Sequence, residues 1–137
     1  KEPVLDGETV QYSSHFMIQD TLAYDFEREQ NFSYGNLTHE QKALHVMAFL
    51  ADIWQVHPFR EGNTRTVAVF GIQYLRKLGF HIDNSLFSEH AAYFRNSLVF
   101  YHHHGEKQDK QFLKMFFENL LMGKKNILSD EEMYSKK

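Results

Sequence analysis

The sequence predicts a mainly α domain entered through a short N-terminal β-hairpin. Three observations carry that prediction. Apolar residues recur at helical spacing in five successive segments, Gly or Pro closes several of those segments, and strand-like patterns are confined to the first dozen residues. Val4-Leu5 and Thr9-Val10-Gln11-Tyr12 flank Asp6-Gly7, and an Asp-Gly pair supplies the positive φ angles of a tight primed turn. From about Gln19 to Gln30 the apolar positions Leu22, Ala23 and Phe26 sit at helical spacing among acids and glutamines, and Asn31 to Asn36 reads as a loop. Thr38-His39-Glu40-Gln41 has capping-box spacing, so a helix is expected to start there. Ala43, Leu44, Met47, Leu50, Ala51 and Trp54 then form a stripe one helical face wide, which predicts a central helix.

Pro58 cannot continue that helix and pushes His57 toward extended backbone, so the helix is expected to end at or just before the histidine. Gly62 permits a sharp turn and Asn63 is a candidate cap. Helical spacing resumes from Thr66 to Leu78 through Val67, Phe70, Ile72, Tyr74, Leu75 and Leu78, with Gly79 closing the element. Two more amphipathic helices are predicted, about Ser88 to Tyr101 and Glu106 to Met122, the second stopping at Gly123. Ser129 with Glu132 can cap one further short turn, although Lys124 to Lys137 carries little apolar material to hold it. The expected organisation is one domain over residues 1–123 with a polar tail over 124–137.

Composition bounds what such a domain can do. At 137 residues, 42% hydrophobic and 15% aromatic, the chain can bury a real core. Its formal net charge of -3 comes from nearly balanced acids and bases, which offers no broad basic surface for nucleic acid or anionic lipid. Any nucleotide must be held locally. The absence of cysteine rules out a disulfide framework and thiolate metal sites and fits a reducing compartment, with the cytoplasm expected. Apolar runs such as Val67 to Ile72 are far shorter than the roughly 18 residues of a membrane helix, so no span is expected. The chain begins at Lys1 without a methionine or a signal-peptide pattern, a start that fits a fragment lacking upstream residues.

The chemistry is concentrated in His57-Pro58-Phe59-Arg60-Glu61-Gly62-Asn63-Thr64-Arg65-Thr66. A histidine can take a proton near neutral pH, and a glutamate can hold a hard divalent cation. A Gly-Asn turn opening a helix can present backbone N–H groups to an anion. Together these are the parts that phosphate chemistry needs.

The pattern His57-Pro58-Phe59-x-Glu61-Gly62-Asn63-x-Arg65 resembles the defining motif of the Fic family. The likeness extends to the polar hairpin, the helices leading in and out, and Tyr93-Phe94-Arg95-Asn96-Ser97-Leu98 on a later helix. It implies a Fic-like helical bundle that moves AMP from ATP onto a hydroxyl side chain of a target protein and releases pyrophosphate. On that resemblance His57 is the general base. Glu61 holds Mg²⁺ across the nucleotide phosphates. Gly62, Asn63 and Thr64 lend backbone or side-chain donors to the phosphates, and Arg65 adds a charge-assisted clamp. Phe59 anchors the loop. The hairpin, with Val4, Leu5, Asp6, Gly7, Glu8, Thr9 and Val10, would be the flap that pairs with a target segment, the alternative being an ordinary Asp-Gly turn.

Two positions depart from the family pattern: Thr64 stands where many members have glycine, and Ala68 where many have a second arginine that seats the γ-phosphate. Family members that transfer phosphate also lack that arginine, so phosphate transfer from ATP is the nearest alternative. A third is a weakly catalytic module that binds nucleotide or protein. No complete copy of the family's inhibitory motif is present, since Ser85 to Glu89 has the spacing but is followed by His90. Restraint would then fall to upstream residues, to a separate inhibitory protein, or to nothing. Elsewhere, His102-His103-His104 reads as a solvated helix end because consecutive positions cannot converge on one ion. Phe112, Met115, Phe116, Leu120 and Leu121 read as core, and Asp130-Glu131-Glu132 as a solvated tail.

Overall fold

Residues 17–56, 62–103 and 108–135 are described by the structure, a computed structural model. They form seven helices: α1 (Ile18–Gln30), α2 (His39–Val56), α3 (Asn63–Lys77), α4 (Ser85–Glu89), α5 (Ala91–His102), α6 (Gln111–Leu121) and α7 (Asp130–Ser135). The mainly α expectation holds, with no strand among the described residues. The expected hairpin, Val4 to Tyr12, lies outside them. Contacts divide the chain into two units that meet in sequence at Phe80 and His81.

In the first unit α2 packs against both α1 and α3. Its start is the predicted capping box: Gln41 N–H donates to Thr38 Oγ1 at 3.1 Å, and Thr38 N–H donates to Gln41 Oε1 at 2.9 Å. The predicted stripe is buried at Ala43, Met47, Leu50, Ala51 and Trp54, but Val46, Phe49, Ile53 and Val56 are buried as well. Burial on more than one face is what a helix flanked on two sides requires.

Helix α1 departs from its predicted face. Ala23 and Phe26 are exposed, Phe26 by 39%, whereas Asp25 and Glu29 are buried. Phe26 nevertheless meets Phe49 and Phe70 edge-on at 5.9 and 5.8 Å, which ties α1 to α2 and α3 through ring edges.

Helix α3 begins at Asn63, three residues before the predicted Thr66, and Asn63 is a buried first-turn residue rather than a cap. Its far end is as expected. Gly79 takes φ +97°, its N–H donates to Arg76 O, and Phe80 N–H donates to Leu75 O, each at 3.0 Å. This is the paired reverse bonding of a Schellman stop, with the buried side chains of Phe80 and Leu75 completing it.

In the second unit α5 touches α4, α6 and α7. The single helix predicted over Ser88 to Tyr101 is two, α4 and α5, broken at His90, whose φ −124° and ψ 36° are not helical. The next helix starts at Gln111 rather than Glu106. Phe87, Phe94 and Phe116 form a three-ring cluster with centroids 5.0 to 5.2 Å apart. Phe112, Phe116, Leu120 and Leu121 are buried as predicted, and Leu113 and Phe117 join them.

One sequence expectation fails in this unit, and the expected short C-terminal turn is present. His102 and His103 are 8% and 7% exposed, so they are not a solvated helix end, and His104 lies outside the described residues. The C-terminal segment is held better than its composition suggested. Ser129 Oγ accepts from Glu131 N–H at 3.2 Å, starting α7, and Met133 is fully buried. Helix α7 lies against α5, and Glu131 and Glu132 stay exposed as expected, whereas Asp130 is half-buried rather than solvated.

Candidate functional site

Gly62 forms the N-cap of α3 in the left-handed region, at φ +77° and ψ 14°. That conformation is strained for any residue with a Cβ. An added Cβ would also lie 3.0 Å from Arg65 Nη2, so the arginine head folds over the glycine. Thr66 N–H donates to Gly62 O at 3.0 Å as the first rung of the helix. The N–H groups of Asn63, Thr64 and Arg65 precede that rung, and first-turn donors point outward along a helix axis. No acid in the first turn of α3 offsets the positive end of its dipole. Three backbone donors, a dipole end and an exposed guanidinium thus share one turn, which is chemistry suited to a phosphate.

The side chain of Thr64 has a partner that the sequence reading missed. Trp54 is fully buried, and its indole N–H donates to Thr64 Oγ1 at 3.0 Å. A buried donor left without an acceptor costs about 1–3 kcal/mol, so this contact links the last turns of α2 to the first turn of α3. A lone tryptophan beside a chemical motif was a signal that an acceptor had to be near, but its place in an apolar stripe concealed it.

The structure thus brings Gly62, Asn63, Thr64 and Arg65 together on one helix start. His57, Phe59 and Glu61, and the flap residues Val4, Leu5, Asp6, Gly7, Glu8, Thr9 and Val10, lie outside the described residues. Ala68, half-buried, follows one turn further along α3. Beside Asn63 and Thr66 an apolar cleft of about 220 Å³ opens between α1, α2 and α3, lined also by Leu22, Phe26, Ile53, Val67 and Phe70.

A second polar cluster in this unit was also missed. The Glu29 carboxylate on α1 accepts from both Tyr34 Oη and Tyr74 Oη and pairs with His45 Nε2 at 2.7 Å. Phe32 stacks on the His45 ring at 3.5 Å. Burial, followed by the bond to Glu29, holds the Tyr34 phenol far above the ordinary tyrosine range and pushes Tyr74 up to about 12. Both phenols are donors at neutral pH, as an ordinary tyrosine is, and the shift extends that state into alkali. The partners span α1, its loop, α2 and α3, which explains why a glutamate occupies a buried position.

The Fic/DOC family model matches residues 6–75, just over half of the chain. The chain belongs to the Fic/DOC family. The matched stretch runs from the Asp6-Gly7 pair through α1, α2 and the motif almost to the end of α3. Comparison with curated proteins and with solved structures returned no match. Among the described residues, no helix is long and apolar enough to cross a membrane. Membership of the Fic/DOC family supports a Fic-type function in general.

Proposed function

We propose that this chain is a protein adenylyltransferase, moving AMP from ATP to a Ser, Thr or Tyr hydroxyl of a target protein. The observation that carries the reading is the α3 start of a Fic/DOC chain: Gly62 at φ +77°, first-turn donors from Asn63, Thr64 and Arg65, and the Arg65 head over Gly62. In this reading His57 removes the proton of the target hydroxyl as its oxygen bonds to the α-phosphorus. The bond from that phosphorus to the β-phosphate bridging oxygen breaks, and pyrophosphate leaves. The α3 turn holds phosphate oxygens through backbone N–H groups while Arg65 clamps them.

Glu61 is the proposed carboxylate for Mg²⁺. Magnesium commonly takes one or two carboxylates, with phosphate oxygens and water filling its other positions, so one glutamate beside a phosphate-binding turn fits that donor set. When bound, the ion neutralises phosphate charge. The domain over residues 1–123 would act with the Val4–Val10 flap docking the target segment. A separate inhibitory protein would supply restraint, and the cytoplasm is the proposed location.

Ala68 favours one second reading, transfer of the γ-phosphate, because no arginine stands there to seat that phosphate for departure as pyrophosphate. Label position separates the two. With Mg²⁺, a lysate and ATP labelled on the α- or the γ-phosphate, adenylyl transfer predicts protein label from the α position only, lost in His57→Ala. Label from the γ position alone would replace the proposal with phosphate transfer. Label indifferent to His57→Ala would remove both.

A further inference from the structure

We infer that Trp54 and Thr64 are a positioning pair for the transfer site, holding the two stems of the His57–Glu61 connection at a fixed separation. Trp54 lies three residues before His57, and Thr64 three residues after Glu61. The indole hydrogen bond at 3.0 Å therefore ties the last turns of α2 to the first turn of α3, the two described elements that flank in sequence the five residues carrying the proposed base and magnesium carboxylate. Trp54 is fully buried and its ring cannot swing away without opening the core.

A second contact braces the same two helices nearer mid-length. A Cβ at Gly71 would meet Leu50 Cδ1 at 2.9 Å, so α2 and α3 approach closely there. The Trp54–Thr64 bond then sets the helix ends that face the motif. A hydroxyl has one proton and two lone pairs, so accepting from the indole leaves both the Thr64 O–H and its backbone N–H able to donate elsewhere. Thr64 acts through the position of the turn. Glycine, common at this position in the family, would offer the indole no side-chain acceptor.

The structural claim stands on geometry, and its catalytic consequence rests on the adenylyltransferase reading. Trp54 is the only tryptophan, so in the isotopically labelled full chain its indole N–H gives a single resonance. Thr64→Val removes the acceptor at nearly constant shape, and Thr64→Ser keeps it. Hydrogen exchange at the indole and at the Thr66 amide, the first bonded rung of α3, should accelerate about tenfold or more in Thr64→Val and stay within about twofold in Thr64→Ser. With ATP and Mg²⁺, Thr64→Val should lower kcat about tenfold with a smaller change in KM for ATP, and Thr64→Ser should restore it.

Unchanged exchange in Thr64→Val, or equal acceleration in Thr64→Ser, would overturn the pair. Trp54→Phe, read at the Thr66 amide, serves if Thr64→Val does not fold. A wild-type chain that transfers no group would end the adenylyltransferase reading, whereas the exchange comparison would still decide for or against the pair.

Discussion

The two units of the chain secure their central helices by different means. Around α2 the binding is partly polar, with Glu29 gathering Tyr34, Tyr74 and His45 and Trp54 donating to Thr64. Around α5 it is mostly aromatic packing, with Phe87, Phe94 and Phe116 in mutual contact and Tyr93 donating to Phe112 O at 3.0 Å. Directional bonds specify angles between elements, while apolar packing supplies bulk stability. The unit carrying the motif flanks uses the directional kind, which suits a site whose parts must meet at set distances.

Removing packing should produce the largest effect. Phe116 is fully buried within its ring cluster, and Phe116→Ala should cost about 3–5 kcal/mol in denaturant unfolding. Glu29→Ala comes next. It strands up to three polar partners at about 1–3 kcal/mol for a buried unsatisfied group, tempered by relaxation and by the partial exposure of His45, so a loss of about 3 kcal/mol is expected. Glu29→Leu would sharpen the contrast. A loss well below that of Glu29→Ala would mean that the polar cluster gives specificity more than stability.

The smallest effect is that of Tyr74→Phe, about 1 kcal/mol at neutral pH. Its pH dependence carries a defined sign. The folded chain keeps the Tyr74 proton up to about 12, above the ordinary tyrosine value of 10.0. The contribution is complete below pH 10 and shrinks as pH rises from there toward 12. Thermal unfolding of wild type and Tyr74→Phe should therefore converge in alkali, and a constant gap would detach the phenol from the Glu29 cluster.

What was legible in the sequence was local. The Thr38–Gln41 capping box and the Gly79 stop depend on residues a few positions apart, and both appeared as read. The buried face of α1 was hidden because Glu29 depends on Tyr74, 45 positions away, so periodicity pointed to Ala23 and Phe26 instead. The early start of α3 was hidden because Gly62 enters the left-handed region as the cap itself, making Asn63 the first helical residue. Burial of His102 and His103 could not be read from their order, which shows only that neighbouring side chains diverge. Of the candidate site, the Gly62–Arg65 turn proposed to hold phosphate was legible as a motif, whereas the indole bonded to Thr64 was legible only in three dimensions.

The proposed role of the residues between α2 and α3 is adenylyl transfer with His57 as base. Its most direct measurement is the mass of the group left on a target peptide after incubation with ATP and Mg²⁺. An adenylate on a Ser, Thr or Tyr side chain, absent with His57→Ala, is the predicted result. A bare phosphate on that side chain, or an adenylate that persists in His57→Ala, would contradict it.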